Sequence, residues 1–323
     1  MKLYHFYTAA NNLFAQINFP GEPKGLFEPI NYSIKNGGKR MRPVLTMLSA
    51  HLFGTEIEKA YNPAIGMELF HNFTLIHDDI MDNAPLRRGQ PTVFTKWDIN
   101  TAILSGDALF ALAGEFMTRV DDAHLRKVME LYHTTVVEVC KGQQYDMDFE
   151  HRIAVSLDEY LEMIRLKTAV LPAACLKAGG IVADASEENL QLVYDFGLLL
   201  GLAFQIKDDW LDVYGNFEKF GKSNGGDILA NKKTWLYIKA LELADQNHYQ
   251  ALTLAYSSKT ENPENKIALV KDIFNNLQID RLALVEAEKL FQGALGKLKE
   301  VDAPQSKKDL LHELAQTLVS REV

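Results

Sequence analysis

The chain has 323 residues, 47% of them hydrophobic, enough to bury a core in one large domain or two. Its formal net charge of −9 argues against nonspecific binding to nucleic acid or to anionic membranes, so local clusters of Lys and Arg carry weight. Its two cysteines, Cys140 and Cys175, lack metal-ligand spacing and read as buried, reduced thiols of a cytoplasmic protein.

Helical periodicity dominates and alternating strand patterns are scarce. Residues 1–20 hold one Lys and no apolar core of signal-peptide length, so they read as a first helix ending before Pro20. A second helix spans 26–36 and is stopped by Gly37-Gly38; Pro43 opens a third that reaches Phe53. Pro63 opens the helix that ends in Asp78-Asp79-Ile80-Met81-Asp82. Residues 101–119 and 125–149 read as helices, the latter interrupted by Gly142. Ser156 and Glu159 form a capping box, and Pro172 predicts a kink near 167–170 that exposes backbone carbonyls. Residues 186–214 contain Asp208-Asp209-Trp210-Leu211-Asp212, an irregular stretch covers 215–227, and amphipathic helices over 280–300 and 307–320 close the chain. The longest apolar run, 196–206, is about half a membrane span, so no span is expected. No linker or shift in composition divides the sequence, which reads as one all-α domain over residues 1–323.

The repeated acidic pentapeptide is the main chemical signal. At about 3.6 residues per turn, the first and last Asp of each copy share a helix face, where like charges repel. A hard divalent cation relieves that repulsion and completes its shell with substrate phosphate. Basic groups supply a second jaw: residues 37–43 put Lys39, Arg40 and Arg42 in a Gly-rich turn at a helix start, Arg87-Arg88-Gly89 follows the first motif, and Lys222 and Lys232 flank the second. Carboxylate-held metal on one side and cations on the other would clamp a diphosphate.

In order along the chain, these motifs resemble the trans-isoprenyl diphosphate synthases, the farnesyl/geranylgeranyl diphosphate synthase family. The resemblance rests on residues 75–82 with 87–92, on 204–212, on 37–43, on Lys167-Thr168-Ala169, on Gly142-Gln143 with Asp146, and on Gly221-Lys222…Asp227…Asn231-Lys232. It implies an isoprenoid-synthase-type helical bundle around a deep cavity. It also implies Mg²⁺, about three ions per site with Mn²⁺ as an alternative, on Asp78, Asp82 and Asp208, with Asp79, Asp209 and Asp212 as further or supporting ligands. Lys39, Arg42, His71 and Arg88 would hold isopentenyl diphosphate; Arg87, Lys167, Thr168, Gln205, Lys222 and Lys232 would hold the allylic diphosphate, the last five with Arg87 excepted being the catalytic set. The resemblance also implies a homodimer, the usual state of relatives, and the apolar stretch 104–117 suits such an interface.

The implied reaction ionises the allylic carbon–oxygen bond, lets the double bond of isopentenyl diphosphate attack the cation, and loses a proton to the departing diphosphate. Residues 215–227 would close over the site. Product length is set beneath Asp78. A helical wheel lines up Met67, His71 and Thr74 there with Phe70 at the edge, whereas the resemblance points to Phe73, and Phe70 lies about 12 Å below Asp78. An aromatic residue at the Phe73 position, with no extra residues inside the first motif, resembles short-chain synthases of the geranylgeranyl type, which implies a geranylgeranyl (C20) over a farnesyl (C15) product.

Rival readings explain less. His77-Asp78 as part of a histidine–aspartate phosphohydrolase leaves the second acidic motif idle, and a terpene cyclase of the same fold would mix Asn, Ser and Glu in that motif. A noncatalytic subunit of a heteromeric synthase would tend to lose one aspartate motif, and both are intact here. The glycines at 215 and 221 miss P-loop spacing by one residue and follow no strand pattern.

Overall fold

A computed structural model describes residues 1–152, 154–215, 225–257 and 262–319. In chain order the elements are α1 (Leu3–Gln16), α2 (Lys24–Lys35), α3 (Met41–Leu52), a 3₁₀ turn (Ile57–Ala60) and α4 (Tyr61–Met81). They continue with β1 (Leu86–Arg87), β2 (Gln90–Pro91), α5 (Val93–Lys96), α6 (Ile99–Met117), α7 (Asp122–His151) and α8 (Leu157–Ile164). A π-helical turn (Arg165–Ala169) leads to α9 (Val170–Ile181), α10 (Glu187–Tyr214), α11 (Gly226–Leu229), α12 (Trp235–Leu243), α13 (Gln246–Ser257), α14 (Pro263–Asn276), α15 (Ile279–Glu300) and α16 (Gln305–Val319). The all-α reading holds. Among the described residues the only strands are β1 and β2, an antiparallel pair with Arg87 opposite Gln90. Arg88 and Gly89 join them with φ of 53° and 74°, the two left-handed residues of a tight hairpin turn.

The chain divides into two compact units: Met1–Thr135 with Ala174–Tyr194 and Val301–Leu311, and Val136–Ala173 with Asp195–Glu300 and His312–Val323. In the first unit α4 is the central helix, packed against α3 and α6, with Met67, Leu69 and Phe70 wholly buried. The Tyr32 hydroxyl of α2 donates to the Pro91 carbonyl at 2.7 Å and so fixes the hairpin. In the second unit α8, the second half of α10, and α12, α14 and α15 enclose Tyr160, Ile164, Ile206, Trp235, Leu236, Phe274 and Ala283. The Ser156–Glu159 box caps α8 as expected, with Ser156 accepting from the Glu159 N–H and the Glu159 carboxylate accepting from the Ser156 N–H at 2.9 Å.

Several local expectations change. Pro43 and Pro63 lie at the third helical residue, where a missing N–H still costs nothing. Gly142 does not interrupt its helix, for α7 runs unbroken past it; a Cβ there would lie 2.2 Å from the Lys167 nitrogen, so the glycine admits a crossing backbone. The kink expected before Pro172 is the π-turn, in which the Val170 N–H reaches back five residues to the Arg165 carbonyl. Cys175 is buried but Cys140 is exposed, against the expectation of two buried thiols, because it sits on the outer face of α7. The 215–227 stretch falls mostly outside the described residues. By length and composition α10 could cross a membrane, but Val193, Phe196, Ala203 and Ile206 on it are fully buried in protein.

Gly142→Ala should therefore destabilise the protein by about 1–3 kcal/mol, because neither backbone can yield without repacking. Denaturant unfolding of the two proteins checks this; a change below about 0.5 kcal/mol would show that the crossing is not tight.

Candidate active site

The last turn of α4 carries the first acidic motif. Asp82 caps the helix, its N–H donating to the Asp78 carbonyl at 2.8 Å, and it is exposed while Asp78 is half-buried. Asp79, about 100° round the helix, turns the other way and is 4% exposed. Its carboxylate accepts from Arg87 Nε of the hairpin at 2.7 Å. Burial pushes the Asp79 pKa up, and Arg87 opposes it.

The second motif on α10 repeats this division. Asp208 is exposed and Asp212 half-buried, whereas Asp209 is 4% exposed. Asp209 accepts from the Tyr160 hydroxyl, from Gln205 Nε2 at 3.0 Å and from the Trp235 N–H at 3.2 Å. Burial raises its pKa against those three donors. Thr168 Oγ1 in turn donates to Gln205 Oε1 at 3.0 Å, so the π-turn, α10 and α8 share one network. Asp212 accepts from the Asp227 N–H at 3.0 Å, and the Lys232 N–H donates to the Asp227 carbonyl at 2.9 Å, which ties the start of α11 to the motif. Asp227, half-buried, is pushed up to about 8 by burial and by the nearby Asp209 and Asp212. Lys167 Nζ meets Asp146 of α7 at 2.5 Å. Lys222 lies outside the described residues.

The other basic residues gather in the first unit. Lys39 is exposed in the loop before α3, and Arg42 is the second residue of that helix, half-buried with an unpartnered Nε. Arg88 donates to the Gly37 carbonyl, which closes the hairpin tip onto the same loop. His71 on α4 faces Arg42, Arg88, Arg87 and Arg40; burial, and then those four cations, hold its ring neutral, with its pKa well below the usual value. The structure thus brings Arg42, His71, Arg87 and Arg88 into one electropositive group. Sequence reading grouped Arg40 with the outward cations and missed Glu68, the buried carboxylate that pairs with it at 3.0 Å behind that group. It also missed Tyr160, whose partner lies on another helix and leaves no local signal.

Beneath Asp78, Phe73 is half-buried and meets Phe70 at 5.8 Å and Phe110 of α6 at 5.3 Å between ring centroids. Phe70 is fully buried and packs edge-on to Tyr132 at 5.8 Å, behind Phe73. The Thr74 hydroxyl donates back to the His71 carbonyl at 2.8 Å.

Among the described residues no three His, Cys, Asp or Glu side chains converge into a closed metal site. The donor set still fits Mg²⁺, which needs one or two carboxylates and fills its remaining positions with water and phosphate oxygens. Each motif offers two outer carboxylates one turn apart, and its inner one is already engaged by protein donors.

A model of the Polyprenyl synthetase family matches residues 23–273. The geranylgeranyl pyrophosphate synthase of Geoglobus acetivorans is 39% identical over 305 residues, 93% of this chain and 92% of that protein. A crystal structure of a geranylgeranyl pyrophosphate synthase, 40% identical, superposes with a TM-score of 0.95 over 100% of both chains. A polyprenyl synthase from Caulobacter crescentus CB15, crystallised with calcium and isoprenyl diphosphate, is 28% identical with a TM-score of 0.88, covering 99% of this chain and 96% of that one. With its motifs, its all-α fold and these likenesses in agreement, this chain belongs to the polyprenyl synthetase family, the trans-isoprenyl diphosphate synthases.

Proposed function

We propose that the protein is a Mg²⁺-dependent short-chain prenyltransferase that condenses isopentenyl diphosphate with an allylic diphosphate, giving geranylgeranyl diphosphate ahead of farnesyl diphosphate. The observation that carries this is the shared construction of the two acidic motifs: the inner Asp79 and Asp209 are buried and bonded, while the outer pairs Asp78/Asp82 and Asp208/Asp212 are more exposed. The 1–323 chain acts as one catalytic domain, and the outer pairs hold the metal. Mg²⁺ held there would supply Lewis-acid stabilisation of the negative charge developing on the diphosphate. Lys167, Lys222 and Lys232 add positive charge to it, and Thr168 and Gln205 supply polar atoms that their mutual bond keeps oriented. Pro172 has no N–H for the Thr168 carbonyl four residues back, so the π-turn leaves carbonyl dipoles suited to an allylic cation. His71, held neutral, accepts or donates a hydrogen bond at the isopentenyl diphosphate without adding charge, beside Lys39, Arg42 and Arg88. Phe73, braced by Phe70 and Phe110, stops the growing chain.

The outer side of α6 carries Ile99, Ile103 and Leu104, exposed by 52%, 41% and 61%. An apolar row of that kind suits a homodimer face. Leu104→Glu should convert a dimer to a monomer in sedimentation equilibrium, and an unchanged mass would assign the interface elsewhere.

Incubation with labelled isopentenyl diphosphate, Mg²⁺ and dimethylallyl, geranyl or farnesyl diphosphate tests the reaction, with product chains sized. A C20 main product is expected, and Asp78→Ala should lower turnover by at least about 100-fold with the helical circular dichroism intact. Absence of condensation with every primer sinks the enzyme reading. Phe73→Ser should lengthen the main product by one or more five-carbon units; an unaltered product would remove Phe73 from the floor.

A further inference from the structure

The cations assigned to isopentenyl diphosphate sit on a loop whose shape is held from behind. Arg40 lies between Lys39 and Arg42, yet it is 7% exposed while Lys39 is exposed. Its backbone is left-handed, with φ 47° and ψ 37°, a conformation that a side chain with a Cβ adopts only under constraint. The constraint is visible. Arg40 NH1 donates to Glu68 Oε1 at 3.0 Å, NH2 donates to the Ile34 carbonyl at the end of α2, and the guanidinium lies over the Phe14 ring at 4.5 Å from its centroid.

Glu68 is itself 3% exposed on α4 and belongs to a buried polar stripe with Asn72 and Asp79 at helical spacing. Asp79 does for Arg87 what Glu68 does for Arg40. The second carboxylate oxygen of Glu68 and Nε of Arg42 are both buried without a partner, and Glu68 is the acidic group that Arg42 and Arg88 both feel most strongly. One carboxylate thus lies in the field of three guanidiniums and pairs with Arg40 alone. Arg88 meanwhile closes on the Gly37 carbonyl, its guanidinium filling the space where a Cβ on Gly38 would lie at 2.6 Å.

We propose that Arg40 is a positioning residue: clamped by Glu68 and the Ile34 carbonyl, it sets the left-handed step that presents Lys39 and Arg42 together to the diphosphate of the homoallylic substrate. Arg40 does not touch that substrate. A Lys in its place keeps the charge but cannot form the planar fork to two acceptors on different helices. The substrate named here rests on the function proposed above; the anion site does not.

The test compares wild type with Arg40→Lys, Glu68→Gln and the double variant. Calorimetry with inorganic diphosphate in the presence of a chelator should give binding about ten-fold weaker for Arg40→Lys. Steady-state assays should give a KM for isopentenyl diphosphate raised about ten-fold, with the KM for the allylic substrate within about two-fold. The double variant should be no worse than Arg40→Lys alone, since both changes break one clamp. Diphosphate binding within two-fold of wild type overturns the proposal, as does a parallel loss toward both substrates that follows a lowered thermal midpoint. If wild type condenses nothing while Arg40→Lys still weakens diphosphate binding, the positioning role stands and the substrate assignment falls.

Discussion

Three carboxylates within five residues of one helix repel each other, and the chemistry of this protein depends on how that repulsion is divided. In each motif the middle aspartate is withdrawn from the problem. Asp209 accepts from a tyrosine on α8, a glutamine one turn earlier and the first backbone N–H of α12, so it is a structural knot where those helices meet. Leaving such a buried acceptor short of one donor generally costs about 1–3 kcal/mol, more than a surface contact. Asp79 is the smaller version, joining α4 to the hairpin through Arg87. The outer aspartates can then share a face at helical spacing, because the helix beneath them is already held.

The same economy governs the cations. Lys167 is presented by a π-turn that crosses α7 so closely that only glycine fits at position 142, and one helical turn later Asp146 meets the Lys167 ammonium. A short crossing therefore fixes both the backbone and the side chain. In the first unit, two buried carboxylates on α4 each hold an arginine: Glu68 holds Arg40 beside the cations assigned to isopentenyl diphosphate, and Asp79 holds Arg87, itself assigned to the allylic diphosphate.

Much of this was legible in the sequence because its cause is local. Asp78 and Asp82 are four apart, as are Asp208 and Asp212, and helical spacing alone predicts their shared face. Ser156 and Glu159 announce a cap by the same short-range logic. The disturbance before Pro172 was also readable, since a missing N–H acts at a known offset. What stayed hidden depends on partners distant in the chain. Gly142 reads as a helix breaker until the backbone that crosses it is known. Arg40 reads as one more surface cation in a basic run, and only Glu68, 28 positions away, makes it a buried one. The hairpin escaped because its turn is Arg-Gly rather than Asn-Gly, and its strands are two residues each. Phe73 and Phe70 could be placed on a wheel, but Phe110 and Tyr132, which brace them, come from other helices.

The π-turn has a consequence for insertions and deletions. Such a turn amounts to an α-helix that has gained one residue without losing its continuity. Deleting any one of residues 165–169 would restore a regular helix, yet it would remove the bulge that sets Lys167 against Asp146 and Thr168 against Gln205. The segment can therefore exchange outward side chains more readily than it can change its length. Its residue count, more than its composition, is what the site depends on.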